Sequence, residues 1–157
     1  MWIADRLRDA DKAEVRAATG KSPREVIEDS VVTSKLAFTV RKTRASDPFA
    51  IFGVSDAGMV DGAYFGLDRP AVLVGLVWMV GTPEMEKNRI AIAKESRWWI
   101  DLLGKNYDAL YNLVYAENSL HRKWLDFTGF KFMPGVPFGP NDEFFIPFFR
   151  LTETTQA

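Results

Sequence analysis

Asn118 stands where an apolar strand gives way to a helical segment, and an asparagine there can cap the helix while offering its amide to a ligand. Glu117 beside it has the carboxylate of a general base, although a glutamate just before a helix also simply favours the helix dipole. His121 is the single histidine and the only side chain whose ordinary pKa lets it titrate near neutrality. It falls in line with Leu125 on the shoulder of the helix and has no partner serine, cysteine or second ligand in the pattern, so a surface or interface role explains it too. The phenols of Tyr107, Tyr111 and Tyr115 donate a proton usefully only within hydrogen-bond reach of a leaving group, and aromatic strand packing explains all three more simply. Zero cysteines exclude disulfides, thiolate metal sites and a cysteine nucleophile, and one histidine excludes a multi-histidine metal cluster.

These residues need elements to position them. Trp2 to Ala4 reads as a short strand, followed by a charged helix from Arg8 to Ala18 with Asp9 as N-cap and Gly20 as stop. Ser22-Pro23-Arg24-Glu25 combines a capping box with proline at the first helical position, so a second helix runs to about Thr33. Leu36, Phe38 and Val40 alternate with Ala37, Thr39 and Arg41, and Phe49 to Val54 is a compact apolar run. With the Ser46-Asp47-Pro48 turn between them they predict an antiparallel hairpin.

A loop from Ser55 to Pro70 leads to Ala71–Val80, whose lack of alternation predicts a central strand covered on both faces. Pro83 to Leu103 reads as one helix and Ala109 to Ala116 as a second apolar strand, giving a right-handed parallel crossover. Leu120, Trp124 and Phe127 mark another helix ended by Gly129. Phe130 to Met133 and Phe144 to Leu151 supply the last strands, separated by a stiff loop from Pro134 to Pro140, and Thr152 to Ala157 is a polar tail. The expected fold is a single mixed α/β (α+β) domain over 1–157 in the order β-α-α-β-β-β-α-β-α-β-β.

Composition sets the outer limits. Lys+Arg 20 against Asp+Glu 21 leaves no basic field to hold nucleic acid or an anionic membrane. The basic cluster Arg41, Lys42 and Arg44 is the only local support for nucleic-acid binding. No apolar run reaches the ~20 residues of a membrane helix, and the first residues do not form a signal peptide. A soluble protein suited to a reducing compartment is expected.

The element order resembles the GNAT (N-acetyltransferase) superfamily, whose mixed central sheet of about seven strands carries flanking helices. The sharper likeness is local: Val114 to Asn118 runs from strand into helix, and Gly129-Phe130 closes that helix eleven positions after Asn118. This is similar to the family's Asn…Gly-Phe signature. A narrower likeness covers roughly the C-terminal half. Glu95-Ser96-Arg97-Trp98-Trp99, Tyr107 to Val114, and Asn118, His121, Trp124, Leu125 and Gly129-Phe130 resemble small GNAT-like proteins of short-tailed bacteriophages, including podophage internal virion proteins. That resemblance implies a virion protein made in the host cytoplasm and residing in the particle.

The superfamily likeness alone implies acetyl-CoA, held by the strand end at Met79 and Val80 and by Asn118. The family's diphosphate loop, however, is glycine-rich, whereas Val80 to Arg89 has one glycine, a proline that removes an amide, and Glu84 and Glu86, which repel phosphate. Lys87 and Arg89 are the only compensating donors there, and the position of the family's tyrosine acid is Leu125. No cofactor is therefore expected on the virion reading, and acetyl-CoA only on the alternative, an N-acetyltransferase acting on an amine or protein.

Aromatic residues concentrate late in the chain. Phe144, Phe145, Phe148 and Phe149 occupy both faces of the last strand, and Pro147 places that strand at an edge or bulge. An exposed aromatic edge invites other virion proteins or a second copy of the chain as partner, unless both faces are buried within the monomer.

Overall fold

The computed structural model describes residues 3–152; the expected strand residue Trp2 and the tail from 153 onward lie outside the described residues. Ile3–Arg6 forms a 3-10 turn, not a strand, and buries Ile3 and Ala4 against the sheet. Two helices follow, α1 (Asp9–Thr19) and α2 (Pro23–Thr33). In α1 the flanking residue is Arg8, without a side-chain cap, so Asp9 opens the helix proper. Gly20 ends it in the left-handed conformation, with its N–H donated to the Arg16 carbonyl. In α2 Ser22 Oγ accepts from the Glu25 amide, and Pro23 occupies the first turn as its fixed φ favours.

The sheet contains β1 (Leu36–Val40), β2 (Ala50–Val60), β3 (Val72–Gly81), β4 (Ala109–Tyr115), β5 (Lys131–Phe132), β6 (Val136–Phe138) and β7 (Glu143–Leu151). Its spatial order is β1-β2-β3-β4-β7-β5, with β6 also pairing β7. Among the described residues only β3 and β4 pair in parallel. The seven-stranded mixed sheet expected from sequence is present, with two changes of membership. Among the described residues the expected N-terminal strand is replaced by the 3-10 turn Ile3–Arg6, and β6 arises inside the segment expected to be a loop. β2 also continues past Val54 to Val60, across a register shift between Asp56 and Gly58 that the glycines of this stretch disguised as a loop.

The helix expected from Pro83 to Leu103 divides into α3 (Glu84–Lys87) and α4 (Arg89–Gly104), which break at Asn88. With α5 (Ser119–Phe127), α4 covers one sheet face. Phe52, Met79, Leu110 and Phe148 point to that side and meet Trp99, Ile100, Trp124 and Leu125. The opposite face takes Ile51 and Val80 against Leu7 and Ile27, and Tyr115 and Phe145 against Ala17.

β7 is an interior strand, flanked by β4 on one side and by β5 and β6 on the other, which corrects the edge reading of Pro147. The Pro147 carbonyl accepts from the Met133 amide at 2.9 Å. In an extended strand the nitrogen of the same residue faces the same side, so the missing N–H falls where β5 has ended and β6 has not begun.

The turn between β6 and β7 docks on the end of α1. Gly139 holds φ at 81°, and a Cβ there would overlap the carbonyl oxygen of Ala17. Gly139→Ala is expected to cost about 1–3 kcal/mol through left-handed strain and the clash. Urea denaturation checks this: the midpoint should fall with the slope unchanged, and an unaltered midpoint would show that the turn is not seated on α1.

Candidate functional site

β3 and β4 pair only over Val74–Leu76 and Ala109–Tyr111, then separate. Asn112 sits in the crotch of the resulting V. Its Nδ2 donates to the Val77 carbonyl at 2.9 Å and its Oδ1 accepts from the Leu113 amide at 2.8 Å, so one side chain supplies the two bonds the ladder loses. Asn112 escaped the sequence reading, yet an amide in the middle of an apolar strand is an unfavourable choice that signals such a duty.

Beyond the crotch, α1 lies across the open end. Asp11 Oδ2 accepts from Gly81 N–H at 2.9 Å, the Arg8 amide donates to the Gly81 carbonyl at 2.9 Å, and Glu14 Oε1 accepts from Tyr115 N–H at 2.7 Å. Strand alternation turns the backbone of Met79, between Val77 and Gly81, into the same gap. The Arg8 guanidinium lies 3.1 Å from Asp11 Oδ1 and from Glu86 Oε1, and donates to Asn118 Oδ1 at 3.5 Å. Asn118 in turn donates to Asp11 Oδ1 at 3.1 Å. Its amide is thus spent inside the protein and does not cap α5. Arg8, Asp11, Asn118 and His121 are all buried. The sequence signal for this cluster was the three-residue spacing of Arg8, Asp11 and Glu14, which places them on one helical face.

His121 Nδ1 is 3.4 Å from Glu14 Oε2, an ion-pair contact without hydrogen-bond alignment. Burial opposes a charge on His121, but Glu14 and then Asp11 outweigh it and hold its pKa above the ordinary 6.5. Burial raises Asp11 despite the opposing Arg8 charge. Both directions make folding favour bound protons. The stabilising contribution of His121 is complete below pH 6.5 and disappears as pH rises through its folded value.

Because the chain has one histidine, the stability change just above neutrality reports on this residue and the amino terminus. The melting temperature is expected to fall from about pH 6 to about pH 9, with a limit of about 1.4 kcal/mol per pH unit for one proton. His121→Asn should flatten the curve. A wild-type curve that is flat or rises would rule out the protonated pair.

Two cavities meet at the V. One, of about 410 Å³, lies between the α3–α4 segment and α5, with Met79, Ile92 and Trp124 among its apolar walls and Arg8, Arg89, Lys94 and Lys123 as its cations. Trp124 Nε1 donates to Ser96 Oγ at 2.7 Å, tying α5 to α4 at this wall. The other, of about 200 Å³, lies between α1, α2 and the sheet, beside Glu14, Ser30, Trp78 and Asn112. Met79 and His121 line both. Such a pair can take an anionic ligand with an apolar body on one side and a small polar-ended group on the other.

From β3 into α3 few amides are left free for a diphosphate. The amides of Thr82, Met85 and Glu86 donate to Phe49, Thr82 and Pro83 carbonyls, Gly81 is taken by Asp11, and Pro83 has none. Lys87 is engaged by Glu84 at 3.0 Å, while Arg89 is exposed at the cavity. Val80 is buried against Ile3 and Ile27 on the opposite face, so of the two expected strand-end residues only Met79 reaches the larger cavity.

The phenols are committed elsewhere. Tyr107 donates to Asp56 at 2.5 Å and is pushed up to about 12 by burial and that bond; Tyr111 pairs with Tyr64 at 3.0 Å. Tyr115 donates to Glu143 at 2.9 Å, which raises it well above the usual phenol range. Glu117 is exposed and Leu125 is buried.

On the last strand Phe145 and Phe148 are buried on opposite faces and Phe149 packs on Phe65 at 5.2 Å, so within this set only Phe144, at 56%, is open to a partner. Alternation along β7 explains it: successive side chains enter two different cores, a possibility the strand's composition alone left undecided. Phe132, Val136 and Phe138 are exposed on the adjoining β5 and β6.

No protein-family model matches the chain, and no curated protein matches it by sequence. Solved structures do. An acetyltransferase of the GNAT family from Bacillus anthracis superposes with a TM-score of 0.62 at 11% identity, covering 95% of this chain and 86% of that one. A chimera of spermidine N-acetyltransferase SpeG from Vibrio cholerae and hSSAT gives 0.60 at 13%, covering 88% and 81%. The NatC complex bound to Gag peptide and CoA gives 0.58 at 14%, covering 90% and 87%. At these identities the likeness establishes a GNAT-like fold, and the chemistry has to be read from the residues.

Proposed function

We propose that the chain is a virion-associated protein of a short-tailed bacteriophage, a structural or internal component that uses its GNAT-like scaffold for assembly and not for acetyl transfer. The observation that carries the second half is the commitment of most of the β3–α3 amides within the chain, which leaves a diphosphate few backbone donors there. The closure of the V by Arg8, Asp11 and Asn118 supports it too. The first half is supported by the phage-type pattern from Glu95 to Phe130.

The partners on this reading are other virion proteins or further copies of the chain, met through the exposed aromatic face at Phe144. A net charge of −1 favours protein contacts over the packaged genome, and among the described residues no helix is long and apolar enough to cross a membrane. Mass spectrometry of purified particles tests the assignment: the protein should be present at a fixed copy number, and its absence from particles would overturn it.

A second reading, an acetyl-CoA-dependent N-acetyltransferase, is favoured by the two cavities that meet at Met79 and His121. Titration calorimetry with acetyl-CoA separates the two. The virion reading expects no heat at ligand concentrations of about 1 mM, above the usual substrate range. Saturable binding together with amine-dependent release of free CoA thiol would replace it with the second.

A further inference from the structure

Little apolar surface holds α1 against the sheet. Val15 and Ala17 are its buried apolar side chains, and its third buried residue is the carboxylate Asp11. The joint is otherwise polar. Asp11 accepts from Gly81 N–H at the tip of β3, Glu14 accepts from Tyr115 N–H at the tip of β4, and the Arg8 amide fills the Gly81 carbonyl. These are the backbone groups that strand pairing would have used had β3 and β4 stayed together. A segment with few buried apolar contacts and side-chain-dependent hydrogen bonds belongs to the part of a fold that opens first.

We propose that α1 is a displaceable plug, a built-in occupant of the gap between β3 and β4 that opens as a unit without unfolding the sheet and so joins the two cavities at Met79 and His121. The sheet survives because its central pairing, β2 with β3 and β3 with β4 over Val74–Leu76, does not involve α1. Charge balance sets how often the plug opens. When His121 is protonated, it and Arg8 face Asp11 and the partly buried Glu14, a set with no net charge. Glu86 of α3 faces Arg8 from the surface, and from α5 and β7 His121 meets the rings of Trp124 and Phe148. Loss of the His121 proton leaves an uncompensated negative charge inside, which the open form relieves by hydration.

Amide hydrogen exchange on the full chain tests this. After correction for intrinsic rates, the amides of α1, Gly81 and Tyr115 should exchange together, about tenfold or more faster than those of Val74–Leu76. The ratio should grow from about pH 6 to about pH 8. Asp11→Asn should speed the α1 set alone by about tenfold or more, since Arg8 then loses its buried counter-charge. If the α1 set in the wild type exchanges no faster than Val74–Leu76, α1 is part of the global core and the proposal fails; this comparison decides even if the variant does not fold. An equal acceleration of every amide by Asp11→Asn overturns it as well.

Discussion

Phe52→Ala is expected to lower the melting temperature by about 10 °C, the result of losing about 3–5 kcal/mol in a domain where each kcal/mol is worth about 2–4 °C. Phe52 is fully buried in β2 and is the ring on which three elements converge. It stacks on Phe38 of β1 at 5.6 Å and meets Trp99 of α4 at 5.3 Å and Trp124 of α5 at 5.7 Å. Trp99 and Trp124 cannot both collapse into the space left, because Trp124 is tied by its Nε1–H to Ser96. A cavity therefore remains and adds to the transfer cost. Since α4 and α5 wall the larger cavity, the variant should also loosen that site. Differential scanning calorimetry checks the size of the effect. A fall of less than about 3 °C, corresponding to about 1 kcal/mol, would mean that the aromatic cluster repacks and does not fix the two helices.

On the proposed virion reading, Phe144→Asp is expected to reduce incorporation into purified particles by about tenfold or more while shifting the melting temperature by no more than about 2 °C. The asymmetry follows from where Phe144 lies. It is the open aromatic of β7, on the same sheet face as exposed Phe132 of β5, while Val136 and Phe138 are exposed on the other face, and its ring covers Gly135 on the surface. A buried aromatic anchor in an interface is worth several kcal/mol to binding, whereas an exposed side chain contributes little to folding. An aspartate there places an unpaired charge at the centre of the contact. Phe144→Leu should restore most of the incorporation. Quantitative mass spectrometry of particles carrying each variant gives the comparison, and equal incorporation of Phe144→Asp and wild type would remove this face from the assembly surface.

The fold was legible wherever local chemistry and burial agree. Ser22-Pro23-Arg24-Glu25 marks the start of α2 because a cap and a fixed proline φ act within one turn, and the unbroken apolar run of β3 marks its central place because both faces are covered. The misreadings have a common origin. Ile3–Arg6 is apolar at its start but too short to show a period, and it settles as a 3-10 turn once Ile3 has a pocket. β2 hides its second half because the register shift at Ala57 and the left-handed Gly58 look like loop chemistry along the chain. β6 exists because β7 offers it a free side, which no local signal in Val136–Phe138 announces.

The candidate site divides in the same way. Asn118 and Met79 can be found by their place at strand ends, and the weakness of the diphosphate loop can be read from Pro83, Glu84 and Glu86. What Asn118 does could not be read: its amide binds Arg8 and Asp11, more than a hundred positions earlier in the chain. The sequence by itself determined the start of α2 at Ser22, the end of α1 at Gly20, the central strands, and the absence of cysteine and multi-histidine chemistry, since each depends on residue type and near neighbours. Tertiary structure alone decided that α1 closes the V with Asp11 and Glu14, that His121 is buried beside them, and that of four late phenylalanines one remains open. The physical reason is that burial and charge pairing depend on which distant segments meet, and a residue's environment there overrides what its type suggests.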